Sequence, residues 1–348
     1  MTDLIVIVPE KPSPMLEEMI FHTTNAMPSF IRYNGIGNIP NLKNKRLLLA
    51  IELDDFGLAI NTYKLLKVLQ NRGHRALENS SAALLVHSNN ELFTKSVASH
   101  IILYLNSMGC TFMGHPLVEA IGSLRNFLTL QKVIKKSLRE VCFYSCSDLG
   151  KRLALTSFEP IKNPKITVLH SSNYKYSNTL TYWHMVKQYL KTPDITEIHI
   201  ENGSVQDCHG CLFNTCKYFG QQKSCFYGGI MVNEIYPAIL DSDIILWICP
   251  NYNDSISANL MATINRLTAI YRTQKFYEKS IFAIVVSGNS GSDLLARQLI
   301  NALNINKSFK LPPYFYTSAI ANDRNSILLV PSIQSKAEEF AKRINQMT

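Results

Sequence analysis

The chain has 348 residues, 46% hydrophobic and 18% charged, a balance that suits packed globular domains and excludes disorder. A length beyond what one core ordinarily serves points to two domains. The net charge of +9 is dispersed, with short pairs such as Lys135 and Lys136 but no long basic run interleaved with aromatics, so a nucleic-acid partner is not expected.

The first apolar run, LIVIV at 4–8, follows Asp3 and precedes Pro9, Pro12 and Pro14, which reads as a strand and not as a signal peptide. Next, RLLLAIELDDFGLAINTYKLLKVL (46–69) and AALLVHSNNELFTKSVASHIILYL (82–105) each read as strand, loop and helix. The junction is expected near residues 155–164, where the segment TSFEPIKNPK contains two prolines. Beyond it, strands are expected at KITVLHSS (165–172), EIHI (197–200), DIILWICPNYND (243–254) and IFAIVVSGNSGS (281–292). Helices are expected at 179–190, 258–272 and 294–303. The longest apolar runs are of strand length, far below the roughly 20 residues that span a bilayer, so no membrane partner is expected. A cytoplasmic chain with reduced cysteines follows.

Strands without polar alternation, separated by helices, indicate a parallel sheet covered on both faces. The segment from Arg46 resembles that from Asp243, and the segment from Ala82 resembles that from Phe282, at a common offset of about 200 residues. The fold expected is α/β with doubly wound parallel sheets in two tandem copies, 1–160 and 161–348.

Ligands of such sheets bind where strands end. Three loops there are rich in small and hydroxyl residues. In SSNYKYSNT, the turn into the helix exposes backbone N–H groups and the hydroxyls of Ser172, Ser177 and Thr179, with Lys175 close by in sequence, a set suited to a phosphate or to simple helix capping. In CPNYNDSISANL, Pro250 stops the strand, and Asn251, Tyr252, Ser255 and Ser257 offer polar groups and an aromatic edge to a planar ring. The glycines of SGNSGS, which includes Ser287, Gly288 and Asn289, let the backbone approach a ligand closely.

In order and spacing these loops resemble the flavodoxin-like NAD(P)H-dependent FMN reductase family, including its iron–sulfur flavoprotein branch. That family's first loop reads S-P-R-K-x-S-N-T; Ser172, Lys175, Ser177, Asn178 and Thr179 match, while Asn173 and Tyr174 replace Pro and Arg. Its second loop reads T-P-x-Y-W-x-S-x-S-x before a helix ending in D-R; Pro250, Tyr252, Ser255, Ser257 and the pair Asn265–Arg266 correspond. The resemblance implies an FMN phosphate site in the first loop and isoalloxazine and ribityl contacts in the other two, and it makes both copies flavodoxin-like, the N-terminal one degenerate. It implies an oxidoreductase that passes electrons from NAD(P)H through FMN to a small-molecule or protein acceptor: a quinone, a nitro compound, free flavin or an iron–sulfur partner. Family members commonly pair two subunits, which implies a homo-oligomer or an N-terminal copy serving as an internal partner. The N-terminal copy has no S-N-T after its first strand, so one FMN per chain is expected. Two other readings stand beside this one: an electron carrier without NAD(P)H turnover, and a non-catalytic, zinc-stabilised interaction protein.

Four of the eight cysteines, Cys208, Cys211, Cys216 and Cys225, fall within residues 207–229 with spacing C-x2-C-x4-C-x8-C. In the iron–sulfur branch a more compact motif at this place holds a four-iron [4Fe-4S] cluster. Four thiolates suit a cubane cluster or a tetrahedral zinc, and a single C-x2-C knuckle argues mildly against zinc; unmetallated thiols are the third alternative. His209 reads as a surface residue. Cys110, Cys142, Cys146 and Cys249 read as small core hydrophobes. His115 with Glu119 lacks a third partner for catalysis, and ELDDF (52–56) reads as a solvated loop.

Overall fold

Each half of the chain builds one sheet from short aliphatic and β-branched runs, in the computed structural model that describes residues 4–25, 27–156, 160–172 and 177–347. The chain divides into two units, Met1–Ser157 and Phe158–Thr348. Among the described residues no helix is long and apolar enough to cross a membrane.

The N-terminal unit has strands β1 (Leu4–Val8), β2 (Phe30–Asn34), β3 (Arg46–Leu53), β4 (Ser80–Ser88) and β5 (Cys110–Ile121) in the order β2-β1-β3-β4-β5, all parallel. Its helices are α1 (Pro14–Thr24), α2 (Ile60–Asn71), α3 (Thr94–Asn106), α4 (Leu128–Ile134) and α5 (Leu138–Leu155). Local chemistry fixes their starts: Ser13 caps α1 ahead of Pro14, and Ser137 and Glu140 form a capping box at α5. Helices α1 and α5 pack on each other and on the sheet, burying Leu16, Met19, Val141, Cys142, Cys146 and Leu149.

The C-terminal unit has strands β6 (Ile166–His170), β7 (Ile195–His199), β8 (Ile244–Pro250), β9 (Ser280–Ser287) and β10 (Tyr316–Ile320), parallel in the order β10-β9-β8-β6-β7. Its helices are α6 (Asn178–Lys187), α7 (Phe213–Gln221), α8 (Tyr236–Asp241), α9 (Ala258–Arg266), α10 (Thr268–Tyr271), α11 (Ser292–Leu299) and α12 (Ile333–Asn345). Counted within each unit, both orders are 2-1-3-4-5, the flavodoxin-like arrangement. The repeat is thus structural: β3 and β4 correspond to β8 and β9, the pairs singled out by the offset of about 200 residues. Strands β6, β8 and β9 are buried throughout, as strands covered on both faces must be. Tyr182 and Trp183 of α6 and Phe340 of α12 fill one side of that sheet. The helix expected over 258–272 is broken at Leu267 into α9 and α10, and α7 docks on α10 with its Gly220 so close that a Cβ there would meet the Ala269 carbonyl oxygen at 2.1 Å.

Candidate functional site

In the C-terminal unit the chain places β7 on one side of β6 and β8 on the other, so the strand order reverses there, and in such sheets the reversal forms a ligand crevice beyond the ends of the two strands, here β6 and β8. Three loops leave the sheet around it. The first begins at Ser171, whose hydroxyl lies 2.6 Å from that of Ser257, the residue preceding α9. Ser172 is buried, and its hydroxyl has no partner among the described residues. Lys175 lies outside the described residues.

Ser177 caps α6, its hydroxyl oxygen accepting from the Leu180 N–H at 3.2 Å and keeping its own proton free to donate. Thr179 is buried in the first turn. Asn178 faces the other way: its amide donates to the carbonyls of Ala321 (3.1 Å) and Asp323 (2.8 Å), tying the start of α6 to the turn after β10. Of the first-loop residues, Ser172 is thus buried with a free hydroxyl and Ser177 opens α6, while the Asn178 side chain holds the scaffold.

The second loop turns sharply. Asn253 and Asp254 both have positive φ, 53° and 57°, and Tyr252 and Ser255 exchange backbone hydrogen bonds across them, as in a type I′ turn. This leaves Pro250 at the buried strand end and Tyr252 and Ser255 exposed. Asn251 binds the second loop to the third, its amide donating to the Ser287 hydroxyl (3.1 Å) and the Ser290 carbonyl (3.2 Å). Its Oδ1 is buried without a partner among the described residues. Gln298 of α11 clamps the same turn, accepting from the Ile256 N–H at 3.0 Å and donating to the Asp254 carbonyl at 3.1 Å. Gly288 and Asn289 are exposed at the tip of the third loop. Gly291, with φ of +95°, passes so near the second loop that a Cβ would lie 2.1 Å from Asp254 Oδ1.

Below the crevice, His170 stacks on His199 with ring centroids 4.8 Å apart. Burial pushes the His170 imidazole down to about 4, with the nearby His199 adding to the shift and Glu197 opposing it, so the ring is neutral near pH 7.

The cysteine-rich segment follows β7 and is held by the end of α9. Asn265 donates to Asp207 Oδ1 at 2.9 Å and Arg266 to the Gly228 carbonyl at 2.9 Å. Cys208, Cys211, Cys216 and Cys225 line one cavity together with Arg266 and Tyr227. None is in a disulfide. Among the described residues no three His, Cys, Asp or Glu side chains stand close enough to hold one metal ion. His209 is exposed and stacks on Tyr227. Arg266 is 3% exposed, and its Nε has no partner among the described residues. The remaining cysteines are core: Cys110, Cys142, Cys146 and Cys249 are fully buried, and burial pushes the Cys249 thiol up to about 12.

The corresponding edge of the N-terminal unit is filled by its own carboxylates. Glu10, after β1, accepts from the N–H and hydroxyl of Thr62 in the first turn of α2, both at 2.7 Å. Glu52, at the end of β3, accepts from the Ser13 N–H at 2.9 Å and pairs with His87 Nδ1 at 2.5 Å. Glu52 therefore departs from the solvated-loop expectation: it lies within a strand and answers a buried histidine from the next one. Asp54 and Asp55 are exposed as expected.

Sequence reasoning passed over Ser171, Gln298 and the burial of Arg266. Ser171 adjoins Ser172 at a strand end and carried a usable signal. Gln298 acts from the middle of a helix and carried none.

Residues 164–323 match the family model described as NADPH-dependent FMN reductase. No curated protein matches the chain. Among solved structures, the Trp repressor binding protein of Bacillus subtilis is 19% identical, covering 51% of this chain and 98% of its own with a TM-score of 0.34. An NAD(P)H:quinone oxidoreductase from Methanothermobacter marburgensis is 11% identical, covering 53% and 100% with a TM-score of 0.39. An azoreductase from Bacillus anthracis is 12% identical, covering 53% and 99% with a TM-score of 0.38. The C-terminal half of the chain, over residues 164–323, is thus matched to the NADPH-dependent FMN reductase family, and the match does not extend to the N-terminal unit.

Proposed function

We propose that the C-terminal unit binds FMN in the crevice above β6 and β8 and that the protein is an NAD(P)H-dependent oxidoreductase delivering electrons to a small-molecule or protein acceptor. The observation that carries the reading is a pair of orphaned buried polar atoms, Ser172 Oγ and Asn251 Oδ1, on two loops bound into one frame. Buried polar groups are ordinarily hydrogen-bonded, so a site left with one free hydroxyl and one free acceptor is shaped for a polar ligand. An FMN phosphate fits the first: Ser172, Ser177 and the amides opening α6 present donors to an anion at a helix N-terminus. An N–H of the flavin ring or a ribityl hydroxyl fits the second, as a donor to Asn251 Oδ1.

FMN, when bound, supplies the electron-transfer chemistry. The chain's part is to bind, orient and shield. Ser172, Ser177 and Thr179 serve the phosphate; Pro250, Asn251, Tyr252, Ser255 and Ser257 border the ring; Ser287, Gly288 and Asn289 approach it by backbone. His170, neutral and buried, adds no charge beneath the phosphate. A pairing of two chains belongs to the same reading.

The cysteine cavity supports a [4Fe-4S] cluster over a zinc ion. A zinc would need its sulfurs all about 2.3 Å from one point, and the four thiols surround a shared cavity without coming that close together. A cubane cluster takes one thiolate at each of four corners, the number of thiols that line this cavity. Two measurements on anaerobically purified protein test the proposal: the visible spectrum, and steady-state oxidation of NADH or NADPH with a quinone acceptor. Yellow or brown protein with sustained turnover is expected. Bound flavin without turnover would make the protein an electron carrier, and colourless protein would remove the flavin reading.

A further inference from the structure

Arg266 closes the inner wall of the four-cysteine cavity, 3% exposed, and donates only to the Gly228 carbonyl, on the segment that carries the cysteines. Its Nε is buried without a partner, and no carboxylate pairs with it among the described residues. A guanidinium in that position is an uncompensated buried charge, which is costly unless an anion accompanies it. The ionisable groups sharing its cavity are the four thiols, His209 and Tyr227, and of these the thiols are the ones a metal turns into anions. Lys307, half-buried, lies within electrostatic range of Cys208 and Cys216.

We infer that Arg266, aided by Lys307, is the counter-charge of a metal–thiolate cluster held by Cys208, Cys211, Cys216 and Cys225, and that it sets the cluster's reduction potential. The inference rests on the cluster reading above. Four thiolates outweigh the net positive charge of a core of four irons and four sulfides, so the centre would be negative, and more so after taking up one electron. A fixed cation favours the reduced state, and net charge and hydrogen bonds to the sulfurs are established determinants of such potentials.

The test compares wild type with Arg266→Gln, Arg266→Lys and Lys307→Gln, all purified anaerobically, by iron content per chain and by a redox titration followed in the visible spectrum and by electron paramagnetic resonance. Arg266→Gln is expected to lower the reduction equilibrium constant about tenfold, 59 mV for a one-electron couple, with iron and FMN contents unchanged. Arg266→Lys is expected to stay near wild type. A wild-type potential in Arg266→Gln at full iron content would overturn the inference and leave the cluster reading intact. If Arg266→Gln fails to hold iron, Lys307→Gln decides: a lowered potential supports the inference and an unchanged one overturns it. Wild-type protein without iron would overturn both together.

Discussion

The hydroxyls of Ser171 and Ser257 lie 2.6 Å apart and join the end of β6 to the start of α9 across the point where the strand order reverses. With Asn251 linking the second loop to the third, this contact ties the end of β6 to two loops that are bound to each other. Such ties matter because a preformed site avoids the cost of ordering loops when the ligand arrives.

The orphan hydroxyl gives the sharpest consequence. Ser172→Ala removes a hydrogen bond to a charged phosphate, worth about 1.5–3 kcal/mol, so FMN affinity should fall at least tenfold. The same change removes an unsatisfied buried group, so the flavin-free protein should melt no lower than wild type. Isothermal titration and thermal melting read the two effects separately, and a lowered melting temperature with unchanged affinity would place Ser172 in the scaffold.

Ser177 has two tasks, capping α6 and facing the phosphate. Replacing an N-cap serine by Ala costs about 1 kcal/mol, by Gly only a few tenths. Ser177→Gly should therefore keep most of the stability yet weaken FMN binding as much as Ser177→Ala does. Affinities that track stability across the two variants would assign the residue to capping alone.

Gly291→Ala sets a Cβ against Asp254 at a residue with φ of +95°. A substitution into an incompatible backbone destabilises by more than about 1 kcal/mol, and here the strain falls on the frame of the second and third loops. Both melting temperature and FMN affinity should drop; an unchanged affinity would show that this frame does not hold the ligand.

His170 predicts a pH dependence. Its folded value, about 4, lies below its ordinary 6.5, so between these values the unfolded chain binds more protons than the folded one. Stability contributed by the neutral ring is present above pH 6.5 and is lost as pH falls towards 4. Denaturant melts from about pH 7 down to about 4.5 should show a decline that His170→Asn flattens. Equal slopes in the two proteins would assign the decline to other groups.

The fold was legible because its signals are local and repeated. LIVIV, RLLLAIEL and IFAIVVS are each buried strands at the expected places, and the offset of about 200 residues pairs β3 with β8 and β4 with β9. Strand β5 was harder to read, since Gly114, His115 with positive φ and Pro116 interrupt it, as an edge strand tolerates. The loops of the candidate site were legible as sets of residue types, but side-chain direction was not: Asn178 and Ser177 are neighbours in one motif, and only the fold turns Asn178 towards Ala321 and Asp323. Arg266 stood in a recognisable motif, while its burial depends on a segment some forty residues away in sequence, at Gly228. Glu52 and His87 answer each other across neighbouring strands, a pairing that neither local stretch records.

Flavin stoichiometry is the most direct measurement. In the N-terminal unit Glu10 and Glu52 occupy backbone donors of the kind an incoming anion would need, and their negative charge opposes a phosphate. Flavin released by denaturation, identified by chromatography and divided by protein concentration, should be FMN at a ratio near one per chain after reconstitution. A ratio near two would mean that the N-terminal edge opens to bind flavin as well, and a ratio near zero would contradict the crevice above β6 and β8 as a flavin site.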